Sequence, residues 1–138
     1  MTSPDDVERQ HTLRTAVARY EELRSREILA DAAAGMSPEV ADGERLAAPD
    51  VLELLALGEV IARKAGYGQQ LAVRTARAAG ASWAAIARAL GTSKQAAWEA
   101  HTRWIDGQSA ANRGADDGGL DAEETERLRR LAGSPDEA

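Results

Sequence analysis

Ser93, Lys94, Gln95, Glu99, Thr102 and Arg103 fall within one uninterrupted polar and alanine-rich stretch, and together they offer the donors and acceptors that distinguish base pairs. Lysine and arginine donate to guanine O6 and N7, glutamine pairs with adenine N6 and N7, and glutamate accepts from cytosine N4. Just upstream lie Ser82, Thr92, Arg88, Arg74 and Arg77, whose hydroxyls and guanidiniums suit phosphate oxygens and so fix register without reading sequence. A lone arginine is usually a solvated surface residue, so the cluster carries the weight rather than any member of it.

These side chains need short, well-terminated helices to hold them. Ser82 is placed to cap a helix in which Trp83, Ile86, Ala87 and Leu90 recur at helical spacing. Gly91 follows where a left-handed residue would end that helix, and Ser93 caps the next one. Counting from Gln70, three helices share Leu71, Val73, Ala76, Trp83, Ile86, Leu90, Ala97, Trp98 and Trp104 as a small core. All three tryptophans sit there at apolar helical positions, which favours a packing role over base stacking.

The run Ala-Gly-Ala-Ser-Trp-Ala-Ala-Ile-Ala-Arg-Ala-Leu-Gly-Thr-Ser-Lys-Gln-Ala-Ala-Trp, ending at Trp98, resembles the homeodomain-like helix-turn-helix of bacterial regulators, resolvases and transposases, in the Ala-rich style of high-GC actinobacteria. The resemblance covers about a third of the chain and is specific for fold rather than for target. It implies a recognition helix over 93–105 in the major groove of double-stranded DNA, with Ser93, Lys94, Gln95 and Glu99 facing the groove and Thr102 and Arg103 reaching backbone or bases further along. It further implies Ser82, Thr92, Arg88, Arg74 and Arg77 on the phosphates. The chain departs from the pattern at Ala97, where a larger β-branched residue is usual, with Trp98 beside it.

Composition limits the alternatives. Apolar residues make up 43% of the 138, but many are alanine, aromatic residues are only 4% and Phe is absent, which predicts close-packed helices and an all-α fold. The absence of cysteine excludes disulfides, Cys-ligated zinc and thiol catalysis, and points to the cytoplasm. The apolar run from Val51 to Ala62 is too short and too interrupted by Glu53, Gly58 and Glu59 to span a bilayer. His11 and His101 belong to no metal or nucleophile constellation and read as surface or half-buried side chains. Neighbouring carboxylates such as Asp5 and Asp6 diverge on a helix, so neither a catalytic site, a cofactor nor a metal is predicted, and the chain does not read as an enzyme. The net charge of −6 opposes nucleic acid at first sight, yet Arg63 to Ile105 carries seven cations against Glu99 alone. That island of +6 sits in a remainder of −12.

Three regions follow: a helical body over 1–65, a helix-turn-helix module over 66–106, and a flexible linker with a short C-terminal helix over 107–138. After Ser3-Pro4-Asp5 one helix is expected to run to Ala34, with Val7, Leu13, Val17, Tyr20, Leu23, Ile28 and Leu29 as its seam. Gly35 to Pro49 reads as a loop with one turn at Ser37–Val40, and a second, largely apolar helix follows Pro49 until Gly66-Tyr67-Gly68 kinks or ends it. Asp106 to Gly119 reads as linker, and Asp121 caps a tail helix bearing Leu128 and Leu131. The long N-terminal helices want a partner for their seam, which suggests a bundle shared by two copies. The expectation is a sequence-specific, homodimeric transcriptional regulator. The alternative is a protein-interaction or DNA-partition accessory module that uses the acidic helical bundle.

Overall fold

A computed structural model describes residues 2–36, 45–114 and 121–136. The fold is all-helical: 82% of the described residues lie in helices and none lies in a strand. The helices are α1 (Pro4–Gln10), α2 (Leu13–Ala34), α3 (Ala48–Ala78), α4 (Trp83–Leu90), α5 (Lys94–Gly114) and α6 (Ala122–Ala132). The expected turn at Ser37–Val40 lies outside the described residues. No described helix is long and apolar enough to cross a membrane. The chain divides into two compact units, residues 1–67 and 68–138.

In the first unit the single N-terminal helix expected from the unbroken polar pattern is two helices. The hydroxyl of Thr12 accepts from Thr15 N–H at 3.2 Å while Thr15 Oγ1 accepts from Thr12 N–H at 3.0 Å. This reciprocal capping box restarts the helix, and His11 stands between the two in an extended conformation. The buried face of α2 is Ala16, Leu23 and Ala30, seven residues apart, two turns each. Of the expected seam, Val7 and Leu23 are buried and Val17 and Tyr20 half-buried, whereas Leu13, Ile28 and Leu29 are exposed. Ala16 and Leu23 of α2 pack with Ala56, Leu57 and Val60 of α3, and a Cβ on Gly58 would lie 3.6 Å from the Tyr20 ring.

Ion pairs show that α2 and α3 run antiparallel. Arg19 pairs with Glu53 and Arg26, further along α2, pairs with Asp50, earlier in α3. The Arg19 contact is a two-pronged fork, Nε to Oε1 at 2.8 Å and Nη2 to Oε2 at 3.1 Å. That fork holds the Glu53 carboxyl below the usual range, with burial opposing the shift. Helix α1 is tied to the same helix by Asp5 on Arg63 at 3.1 Å and Glu8 near Lys64.

Helix α3 continues through Gly66-Tyr67-Gly68 and does not end there, which was one of the two outcomes the glycines suggested. A Cβ at Gly66 or Gly68 would meet nothing within 4 Å, so neither glycine is required by a close approach. Each costs about 1 kcal/mol relative to alanine, which 31 residues of helix with good helix formers on both sides can absorb.

In the second unit, the last part of α3, then α4, α5 and α6, enclose Val73, Trp83, Ile86, Ala87, Ala97, Ile105 and Ala132. Trp98, Trp104, Leu90 and Leu128 pack around them. Both tight connections use a glycine just past the end of the preceding helix for the same reason. Gly80 (φ +90°) and Gly91 (φ +70°) adopt the left-handed conformation. Past them, Ala81 N–H reaches Ala76 O at 2.9 Å and Thr92 N–H reaches Ala87 O at 3.0 Å, satisfying carbonyls the helix would otherwise leave open.

The C-terminal region differs from expectation. Helix α5 does not stop near Ile105 but continues to Gly114, so the first part of the expected linker is helical. Residues 115–120 lie outside the described residues. Asp121 caps α6 as predicted, its Oδ1 accepting from Glu124 N–H at 2.8 Å.

Candidate nucleic-acid interface

Only three residues, Gly91, Thr92 and Ser93, separate α4 from α5. Ser82 Oγ accepts from Ala85 N–H at 3.2 Å and Ser93 Oγ accepts from Ala96 N–H at 3.1 Å, so both serines are helix caps in the structure. Ser93 and Thr92 are exposed in the turn, and Ser82 is half-buried.

Along α5, Ala97, His101 and Ile105 face the core, four residues apart. Lys94, Gln95, Glu99 and Arg103 are exposed and Thr102 is half-buried. Gln95 Nε2–H donates to Glu99 Oε1 at 2.8 Å, which joins two of the predicted groove residues into one polar unit. The Lys94 ammonium stands 3.6 Å from the Asp136 carboxylate. Arg88 is exposed in the last turn of α4, and Arg74 is half-buried beside a cavity of about 190 Å³ that Glu124, Arg127 and Leu128 also line.

Arg77, expected on phosphate, is built into the protein. Its Nε–H donates to Leu131 O at 3.1 Å, its Nη1–H donates to Ala81 O at 2.9 Å, and its guanidinium carbon lies 5.3 Å from the centre of the Trp83 ring. Trp83 Nε1–H donates to Ala132 O and Trp98 Nε1–H donates to Gly133 O, each at 2.7 Å. Three successive carbonyls at the end of α6 are thus each satisfied by a side chain from a different helix: Arg77 of α3, Trp83 of α4 and Trp98 of α5. The tail helix is a fourth wall of the unit. Its sequence signal was the Asp121 cap with Leu128 and Leu131; what those residues could not reveal was where the helix lands.

His101, read from the sequence as surface or half-buried, is 2% exposed. Its ring stacks on Trp104 at 5.6 Å between centroids and tilts against Trp83 at 5.8 Å, and Nδ1 lies 2.9 Å from Gln70 Oε1. Burial, with the nearby Arg74 and Arg77 charges, pushes its pKa down to about 4, so the ring is neutral at pH 7. Nδ1 therefore carries the proton and donates it to the Gln70 amide oxygen. Sequence spacing did contain this: His101 sits between Ala97 and Ile105 at four-residue intervals, a core register.

No group of three or more metal-ligating side chains occurs among the described residues. The chain matches no family model, no curated protein and no solved structure.

Proposed function

We propose that residues 68–138 bind double-stranded DNA, with α5 entering the major groove and α4 bracing the backbone, in a homodimeric transcriptional regulator. The supporting observation is the α4–turn–α5 geometry: two capped helices, a three-residue connection around left-handed Gly91, and an exposed polar row of Gln95, Glu99 and Arg103 on the second. A short glycine-containing turn of this length is the connection used by groove-reading helix pairs. Arg74 and Arg88, with Thr92 and Lys94, supply backbone contacts.

A single α5 buries too little surface for strong specificity, so two copies are needed. Unit 1 supplies the means. All of the large hydrophobic side chains found exposed among the described residues lie in it, including Ile28 (58%), Leu29 (63%), Leu52 (57%) and Leu55 (65%). Helix α3 was expected to be apolar on most of its circumference, and Leu52 and Leu55 are the part that its own unit leaves exposed, beside Ile28 and Leu29 of α2.

The same leucines support the second reading, an accessory module whose acidic bundle binds another protein. Fluorescence anisotropy on random-sequence and genomic duplexes, with light scattering for mass, separates the two. DNA binding predicts a dimer whose log affinity falls against log salt by about 0.9 for each phosphate contacted, and is weakened by Arg88→Ala. Affinity that is absent or insensitive to salt would sink the DNA reading.

A further inference from the structure

The last turn of α6 and the residues that follow it, 129–136, lie along the turns of α5 that are proposed to enter the groove. Three contacts fix them there: Trp98 Nε1–H on Gly133 O at 2.7 Å, Arg129 Nη2–H on Asp106 Oδ1 at 2.8 Å, and Asp136 near Lys94 at 3.6 Å. Their order along the two segments is opposite, so α6 with its short extension spans α5 from Lys94 to Asp106. Each helix is about 10–12 Å across with side chains and packs at about 8–10 Å from its neighbour, so beyond Trp98, where α6 itself flanks α5, the pair is roughly 20 Å wide, and before it the segment 133–136 adds to the width of α5. The major groove is about 12 Å wide and admits one helix. With α6 docked, α5 can present only its far side.

We infer that the C-terminal helix selects the reading face of α5, so that Gln95, Glu99 and Arg103 meet base edges while Lys94 and Thr102 do not. This rests on the DNA reading above and sharpens it. Gln95, Glu99 and Arg103 are exposed, and they recur every four residues, one face of the helix. Thr102 is half-buried, and Lys94 is turned to the tail carboxylate. The Gln95–Glu99 hydrogen bond leaves Gln95 one N–H and its amide oxygen, the pair that adenine N6 and N7 require. Glu99 Oε2 is left to accept from cytosine N4, and Arg103, one turn on, has the fork that guanine O6 and N7 accept. The face is therefore suited to a short run containing adenine, cytosine and guanine.

The test is selection of duplexes from a random pool by the full chain and by Gln95→Ala, Glu99→Ala, Lys94→Ala and Thr102→Ala, with circular dichroism confirming the fold of each. Gln95→Ala and Glu99→Ala should each flatten the preference at one position by about tenfold. Lys94→Ala and Thr102→Ala should leave every positional preference unchanged, whatever they do to overall affinity. Altered preferences in Lys94→Ala or Thr102→Ala, with Gln95→Ala and Glu99→Ala silent, would overturn the inference while leaving DNA binding standing. A wild-type chain that enriches no duplex and shows no anisotropy change would overturn the DNA reading itself, and this inference with it.

Discussion

Lowering the pH from 7 to 5 should destabilise the second unit through one residue, His101. In the folded protein its pKa is pushed down to about 4 from 6.5 by burial and by Arg74 and Arg77. Between those values the unfolded chain binds a proton that the folded chain refuses, so stability rises with pH across that interval. The contribution is complete above 6.5 and is lost as pH falls from 6.5 through 4. A shift of that size corresponds to about 3 kcal/mol in full, of which about 2 kcal/mol is gone by pH 5. All three tryptophans lie in the second unit, so urea unfolding followed by tryptophan emission reports on it directly. The wild-type midpoint should drop between pH 7 and pH 5, and His101→Gln, less stable at pH 7, should show little of that drop. Proton NMR of the His101 ring in the folded chain should show it neutral down to about pH 5. If His101→Gln loses as much stability as the wild type over the same interval, or if the folded ring titrates near 6.5, the reasoning is wrong.

Trp83→Phe keeps most of the ring but removes the N–H that satisfies Ala132 O, and should cost about 1–3 kcal/mol, with amide exchange rising first in α6. Gly91→Ala meets no steric contact yet must hold φ at +70°, so a loss of about 1 kcal/mol in thermal stability is expected, and no loss would mean the turn can relax. Glu53→Gln breaks the fork with Arg19 and should lower the stability of the first unit by about 1 kcal/mol in circular dichroism melts, an effect largely absent in an Arg19→Ala background. Asp136→Asn removes a carboxylate from an exposed contact with Lys94, and anisotropy should show duplex affinity rising by no more than about fivefold, with less effect at high salt.

What the sequence reveals here depends on range. Ser82, Gly91, Ser93 and Asp121 act on backbone groups within a few residues, and the structure places all four as their types predict. The break at His11–Thr12 was also local, but its capping partner is Thr15 rather than the usual glutamate or glutamine, and a pattern tuned to the commoner pair passes over it. Gly66 and Gly68 erred the other way. They are breakers by propensity, yet a cost of about 1 kcal/mol each is small against the continuity of a long helix with strong helix formers on either side. The polar stretch after Ile105 fails as a linker for a related reason: up to Gly114 it continues a helix already nucleated and packed, and propagation is cheaper than initiation.

The long-range contacts could not be read because their signals are ordinary residues. Nothing about Arg77 in isolation separates a guanidinium bound for phosphate from one that holds Leu131 O and Ala81 O. The difference lies in a helix more than forty residues away whose last carbonyls need donors. Once α6 is docked, the tryptophans have two tasks, filling a small core with their rings and closing the end of a helix with their N–H groups. That double use ties the exposed face of α5 to the presence of the C-terminal helix. Loosening the tail should therefore change both the stability of the unit and the set of side chains it can offer, and the two effects should appear together in any variant that weakens the indole contacts.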